Sequence, residues 1–409
     1  GNGTKNNPYI IDEPKDLPDL RNEISKNQGK FLYVKQTADI DLTKLSNRRA
    51  SNDPPLPLAG MSWEWDEYLE ANSSYFLGEY DGGGYTISNW KIPNVMMEDR
   101  PNGPYYISMF GKVGKKGKEK TIIKNLNIDG FQLETPNNNS SIEGFSFIAS
   151  EVDNAEITNC NVENSKVYGV GNYYFGAIVA KNNNDATVSN CIVKNCEFAP
   201  NNSNKKFSNV GSLCGLNSGI IKNCFAYNVT LNGNTSVGGL VGEMNGGTVE
   251  YCGFNGHIGS FDSGIDNSGG LCGTVNKGGS FINCFTVFDN DGHTWTLASQ
   301  VGGLIGVVNE NAELVVKNCY SFPQISVNLS NSNNLNLDCV VGKDDHKEDP
   351  KRLYESCYCY ENAFGKGVTS SSTTLDFSQD YKDKHKLLIA SCDFMRSGCL
   401  AEILSDYHN

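Results

Sequence analysis

The sequence predicts an all-β fold, a right-handed parallel β-helix of about 8–10 coils with short helical caps at both ends. Three observations predict it. One apolar "word" closed by a small residue returns about eight times between Gly111 and Cys359, most cleanly as Gly238-Gly239-Leu240-Val241-Gly242, Gly269-Gly270-Leu271-Cys272-Gly273 and Gly302-Gly303-Leu304-Ile305-Gly306. A second word follows about ten residues later and usually ends Asn-Cys, as at Asn283-Cys284 and Asn318-Cys319. The words hold three to five residues rich in β-branched and aromatic types, too short for 3.6-residue periodicity, so they read as strands.

The small closing residues are Gly111, Ser150, Ala180, Gly215, Gly242, Gly273, Gly306 and Gly342, separated by 39, 30, 35, 27, 31, 33 and 36 residues. Constant words at variable spacing place the insertions in loops while the strands keep register. A chain that returns every thirty or so residues stacks parallel strands about 4.8 Å apart, and equivalent side chains pile into ladders. The predicted cysteine ladder is Cys160, Cys191, Cys224, Cys252, Cys284, Cys319 and Cys357. Its spacing is the repeat period and lacks the paired CxxC of zinc sites, so buried thiols are expected. A few disulfides, Cys392–Cys399 among them, remain the alternative. The asparagines before it, at 125, 159, 190, 223, 283 and 318, are expected to bond locally at a bend.

Chirality of strand crossovers predicts the right hand. Solenoid ends need caps to hide their open edges. Residues 1–45 form the N-terminal one: a helix over Lys15–Lys26, with Leu17, Leu20 and Ile24 on one face, then Phe31-Leu32-Tyr33-Val34 as the first strand. Residues 46–360 form the β-helix with its repeats, and 361–409 a polar linker and a second short helix bearing Met395, Leu400, Ile403 and Leu404.

A formal charge of −13 disfavours nucleic acid and anionic membranes as partners. No apolar run is long enough to span a bilayer. No export signal is visible, and its prior removal is expected.

The repeat words resemble the GLUG-motif family of bacterial surface proteins, through Gly239-Leu240-Val241-Gly242 and Gly303-Leu304-Ile305-Gly306. The opening is similar to Bacteroides-type surface proteins and to the repeats beside some IgA-protease domains, through Pro8-Tyr9-Ile10-Ile11, Ala38-Asp39-Ile40-Asp41-Leu42 and Gly78-Glu79-Tyr80-Asp81-Gly82-Gly83-Gly84. The resemblance implies an exported, adhesin-like parallel β-helix at the cell surface or secreted, with a host surface protein or a glycan as partner. It transfers no catalytic residues. The glycines are replaced between Gly111 and Ala180, and no HExxH helix is present.

The candidate ligand-binding residues lie in the interruptions of the repeat. Trp63, Trp65 and Tyr68, interleaved with acids, can stack sugar rings, and Trp295 sits beside Asp289-Asn290-Asp291-Gly292-His293. The bland alternative is packing of the first coil. Half of a calcium loop is present at 289–292 without its bidentate glutamate. No catalytic set, metal site or cofactor motif is read, and a monomer is expected. The second reading is a polysaccharide-active lyase or hydrolase, which needs two carboxylates from different coils in one groove. Its best material is His257 with Asp262 and Asp266, and Asp344-Asp345-His346, the latter in a charge run expected to be a solvated loop. Asp81 reads as a bend residue.

Overall fold

The computed structural model describes residues 1–43, 75–92, 105–134, 142–169, 174–200, 208–233, 235–259, 266–289, 300–324, 336–338, 340–360 and 388–390. They form a parallel β-helix: three sheets in which every named strand pairing is parallel. One coil shows the pattern. Its chain runs through Tyr174–Phe175 in one sheet and Val179–Asn182 then Thr187–Ser189 in a second. It continues through Ile192–Lys194 and Glu197–Pro200 in the third.

Along the longest row of strands one inward position stays in register from coil to coil, while bulges elsewhere interrupt the pairing, as at Tyr227/Val229. The inward residues Val34, Tyr80, Ile123, Ile157, Val188, Ile221, Val249, Phe281, Val316 and Tyr354 pair in succession. All ten are buried, and all belong to one apolar cluster running from Ile11 to Cys357. A one-residue slip in any coil would turn its whole inward set outward, so each coil fixes the register of the next.

The eight small residues stack as predicted, since the pairings that flank them join Lys112 to Glu151, Val179 to Cys214, Val241 to Cys272 and Ile305 to Val341. Their size is dictated from across the coil. A Cβ on Gly242 would lie 2.3 Å from the carbonyl carbon of Asn209, and one on Gly273 2.3 Å from that of Ser236. In the coil where the word carries Ser150, its hydroxyl lies 2.8 Å from that of Ser108.

Each ladder cysteine is buried and free, and each follows a residue in the left-handed region. Asn125, Asn159, Asn190, Asn223, Asn283 and Asn318 have φ between 52° and 56°. Asparagine tolerates this conformation better than other non-glycine residues, which explains the Asn-Cys word. Tyr251 and Ser356 occupy the same bend at φ 54° and 52°. The amides also bond up the stack: Asn159 Nδ2 donates to Asn125 Oδ1 (2.7 Å) and Asn318 Nδ2 to Asn283 Oδ1 (3.0 Å). A second asparagine bend, Asn164, Asn195 and Asn228, repeats the arrangement one corner later.

The N-terminal helix spans Asp16–Lys26 and buries Leu17, Leu20 and Ile24. Leu32–Gln36 is not the first strand: Tyr9–Ile11 precedes it and pairs with it. With that strand the longest row, ending at Arg352–Glu355, holds eleven strands among the described residues. The C-terminal helix expected over 394–407 and the pair Cys392–Cys399 lie outside the described residues. No described helix is long and apolar enough to cross a membrane.

Candidate functional site

The turns that join the two rows of the middle sheet stack at one corner, and three successive coils leave a shallow groove there. Lys116, Asp153, Asn183, Asn184 and Asp185 line it, enclosing about 230 Å³. Buried amides brace the neighbouring turns. Asn182 Nδ2 donates to Asn217 Oδ1 (2.8 Å), and Asn217 Nδ2 to the Gly219 carbonyl (3.2 Å). The turns also bond to one another, Asp153 N–H to the Val113 carbonyl (2.9 Å) and Asn183 N–H to that of Val152 (3.0 Å).

Charges surround this groove. Lys112, with 7% of its side chain exposed, lies 3.8 Å from Glu151 Oε2, while Asn183 Nδ2 approaches Oε1 of the same carboxylate (3.5 Å). Lys112 and Lys115 place their ammonium groups 5.5 and 5.0 Å from the centre of the Tyr75 ring, within cation–π range. Burial, helped by Glu151 and Asp153, pushes the Tyr75 phenol above its ordinary range, which keeps it a neutral hydrogen-bond donor. The groove therefore offers carboxylate acceptors, amides of both kinds, ammonium donors and a nearby phenol: a set suited to a hydroxyl-rich ligand.

The residues predicted for ligand binding, Trp63, Trp65, Tyr68 and Trp295, lie outside the described residues, as do Asp262 and His293. His257 Nδ1 is hydrogen-bonded to Asp289 in the next coil, whereas Asp266 is exposed and its carbonyl accepts from Gln300 N–H. Asp81 acts at its bend, accepting from Gly83 N–H (3.0 Å) and Asn125 Nδ2 (2.9 Å).

Asp344 departs from the solvated loop expected of its charge run. Its side chain is 1% exposed, accepts from Tyr354 Oη (2.6 Å) and Arg352 Nε (3.3 Å), and ties down the His346 N–H (3.1 Å). The reason is Arg352: it lies in an inward strand position and a buried guanidinium needs a counter-charge.

Sequence reasoning also missed an outward row of rings, Phe225, Phe285 and Tyr320, on the third sheet. Its signal was available: each ring directly follows a ladder cysteine, and alternation turns the residue after an inward cysteine outward. Phe285 and Tyr320 stack at 5.4 Å, and Phe225 meets Phe285 at 6.3 Å across Gly253. A Cβ on Gly253 would lie 2.3 Å from the Phe285 ring. Rings stacked along the axis present edges rather than faces, so the row serves packing better than sugar stacking.

No family model matches the chain. A protein of Evansella cellulosilytica named "Putative Gly-rich membrane protein" is 32% identical over 130 residues, 32% of this chain but only 12% of that protein's length. A Bacteroides ovatus crystal structure, described as a "putative immunoglobulin A1 protease", aligns over 83% of this chain and 86% of its own. It does so at 18% identity and a TM-score of 0.46. The GLUG resemblance thus rests on the repeat words themselves.

Proposed function

We propose that this chain is part of a surface-displayed or secreted β-helical protein with an adhesin-like role, binding a glycan at the corner groove. The observation that carries the reading is the convergence of Lys116, Asp153, Asn183, Asn184 and Asp185 from three coils on one concavity. Polar side chains held by turn hydrogen bonds can pair with several hydroxyls without first being ordered, which is how a shallow site gains affinity. The word "membrane" in the name of the Evansella protein supports a cell-surface setting.

The test is a glycan array on the purified chain, followed by titration of a hit against Asp153→Ala and Asp185→Ala. A hydrogen bond to a charged group is worth about 1.5–3 kcal/mol, so each variant is expected to bind at least about tenfold more weakly. Unchanged affinity in both variants sinks the proposed site.

A second reading, a polysaccharide-active enzyme, draws on the same groove, since Asp153 and Asp185 come from neighbouring coils. Release of reducing ends or unsaturated products from a bound polysaccharide, abolished by Asp153→Asn, would favour it.

A further inference from the structure

The groove lies beside a local reversal of charge. The chain carries 34 lysines and arginines against 47 acids, yet residues 112–120 hold Lys112, Lys115, Lys116, Lys118 and Lys120 against the single acid Glu119. Lys115, Lys116, Lys118 and Lys120 are exposed.

Three lysines elsewhere on the coils are paired with acids of a neighbouring coil: Lys124 meets Glu79 (2.6 Å), Lys166 meets Glu197 (3.0 Å) and Lys317 meets Glu355 (3.0 Å). Among the described residues no carboxylate lies within 4.0 Å of the ammonium groups of Lys115, Lys116, Lys118 or Lys120. The contrast is between lysines spent on these inter-coil pairs and four exposed lysines gathered in one turn, of which Lys115 also lies over the Tyr75 ring.

The turn that bears them is rigidly held. Gly114 sits at φ 75°, and a Cβ there would lie 2.0 Å from the Asp153 carbonyl oxygen. Asn154 donates through Nδ2 to the carbonyls of Lys118 (2.8 Å) and Lys115 (3.3 Å), while Lys118 N–H closes onto Lys115 O (3.1 Å). Lys116 N–H is bound by Asp153 Oδ2 (3.2 Å), joining the lysine turn directly to the groove wall. The ammonium groups thus project from a fixed frame rather than a free loop.

We propose that the groove's ligand is an acidic oligosaccharide, with its carboxylates or sulfates on Lys115, Lys116 and Lys118 and its hydroxyls on Asp153, Asn183, Asn184 and Asp185. This rests on the glycan reading above and adds the ligand's charge. An anionic chain is repelled by an overall charge of −13 and attracted at this corner, so the local charge favours this docking position as well as this ligand. The aspartates do not defeat this: a sugar's anionic group and its hydroxyls sit on different atoms, and the site separates acceptors from cations in the same way.

The experiment is isothermal titration of the chain with a polygalacturonate oligomer, a chondroitin sulfate oligomer and a neutral glucan oligomer of similar length, at low and high salt. At least one acidic oligomer is expected to bind ten times or more tighter than the glucan. Its affinity is expected to fall about tenfold or more between 50 and 300 mM salt, where the Debye length shrinks below 10 Å. The triple variant Lys115→Ala/Lys116→Ala/Lys118→Ala is expected to lose that preference, and the matching triple arginine variant to keep it. The two acidic probes distinguish carboxylate from sulfate.

Equal binding of acidic and neutral oligomers, unaffected by the lysine variant, overturns the charge selection while leaving the glycan reading intact. Binding of none of the three overturns the acidic-oligosaccharide assignment, while the glycan array decides the glycan reading separately. A DNA duplex bound as tightly as the oligosaccharide also overturns the proposal, because the turn is then a general polyanion site. The lysines are exposed, so a urea unfolding curve suffices to confirm that the variants fold.

Discussion

Asp344→Ala tests whether the last described coils are pinned by one buried charge. The substitution removes acceptors for Tyr354 Oη, Arg352 Nε and His346 N–H together. It leaves a guanidinium whose side chain is 1% exposed without its counter-charge, though still donating to the carbonyls of Asn309 (2.7 Å) and Glu310 (3.0 Å). Breaking a buried pair from one side costs about 3–5 kcal/mol. In a solenoid that loss falls mainly on the coils nearest the change. Hydrogen exchange of Arg352–Glu355 and Tyr358–Tyr360 should accelerate by two orders of magnitude or more, with protection near Val188 unchanged. Replacing the whole cluster, Asp344→Leu/Arg352→Met/Tyr354→Phe, should recover most of the loss, because apolar groups of similar volume satisfy the site and the two freed carbonyls belong to exposed residues. An alanine variant that loses under about 1 kcal/mol, or a triple variant no better than the single, would refute the reasoning.

Tyr251→Asn should stabilise the chain by about 1 kcal/mol, since it puts the residue found above and below into a bend at φ 54°; urea midpoints at constant slope check this. The ladder thiols Cys191, Cys252, Cys319 and Cys357 should resist iodoacetamide at pH 8 and react on unfolding, because burial pushes Cys357 up to about 12 and raises the other three as well. Alkylation of the native ladder, read by mass spectrometry, would contradict that. Glu243 is raised by burial, opposed by Asn276 and Lys277, so its ionised form is the one the fold disfavours. Its contribution is therefore fully present below the unfolded carboxyl range and lost as pH rises through the higher folded value. Glu243→Gln should stabilise at pH 7 and have little effect at pH 4, as urea titrations at the two values would show. Gly242→Val should prevent correct stacking, since Asn209 backbone lies where the side chain must go; loss of the cooperative transition is the readout.

What was legible in the sequence was whatever repeats. The small residues from Gly111 to Gly342 and the Asn-Cys words each answer the same contact in every coil, so repetition itself exposes them. Tyr9–Ile11 was missed because three residues carry too little alternation to stand out before the first full coil. Asp344 was misread because its burial depends on Arg352, eight residues on, and composition sees only a charge run. The groove was illegible for a different reason. Lys116, Asp153 and Asp185 lie more than thirty residues apart, each in a turn that looks like an ordinary polar connection, and only stacking of coils makes them neighbours.

The stacking of coil on coil has a mechanical consequence. Each coil is held to the next by parallel ladders, so a load applied at the chain ends meets one coil at a time. Peeling the coil between Cys191 and Cys224 shortens the stack by about 4.8 Å. It releases 33 residues, about 110 Å of extended chain. Such a rod yields in steps some twenty times longer than its own rise, and lets a tethered ligand travel far before the next coil gives way.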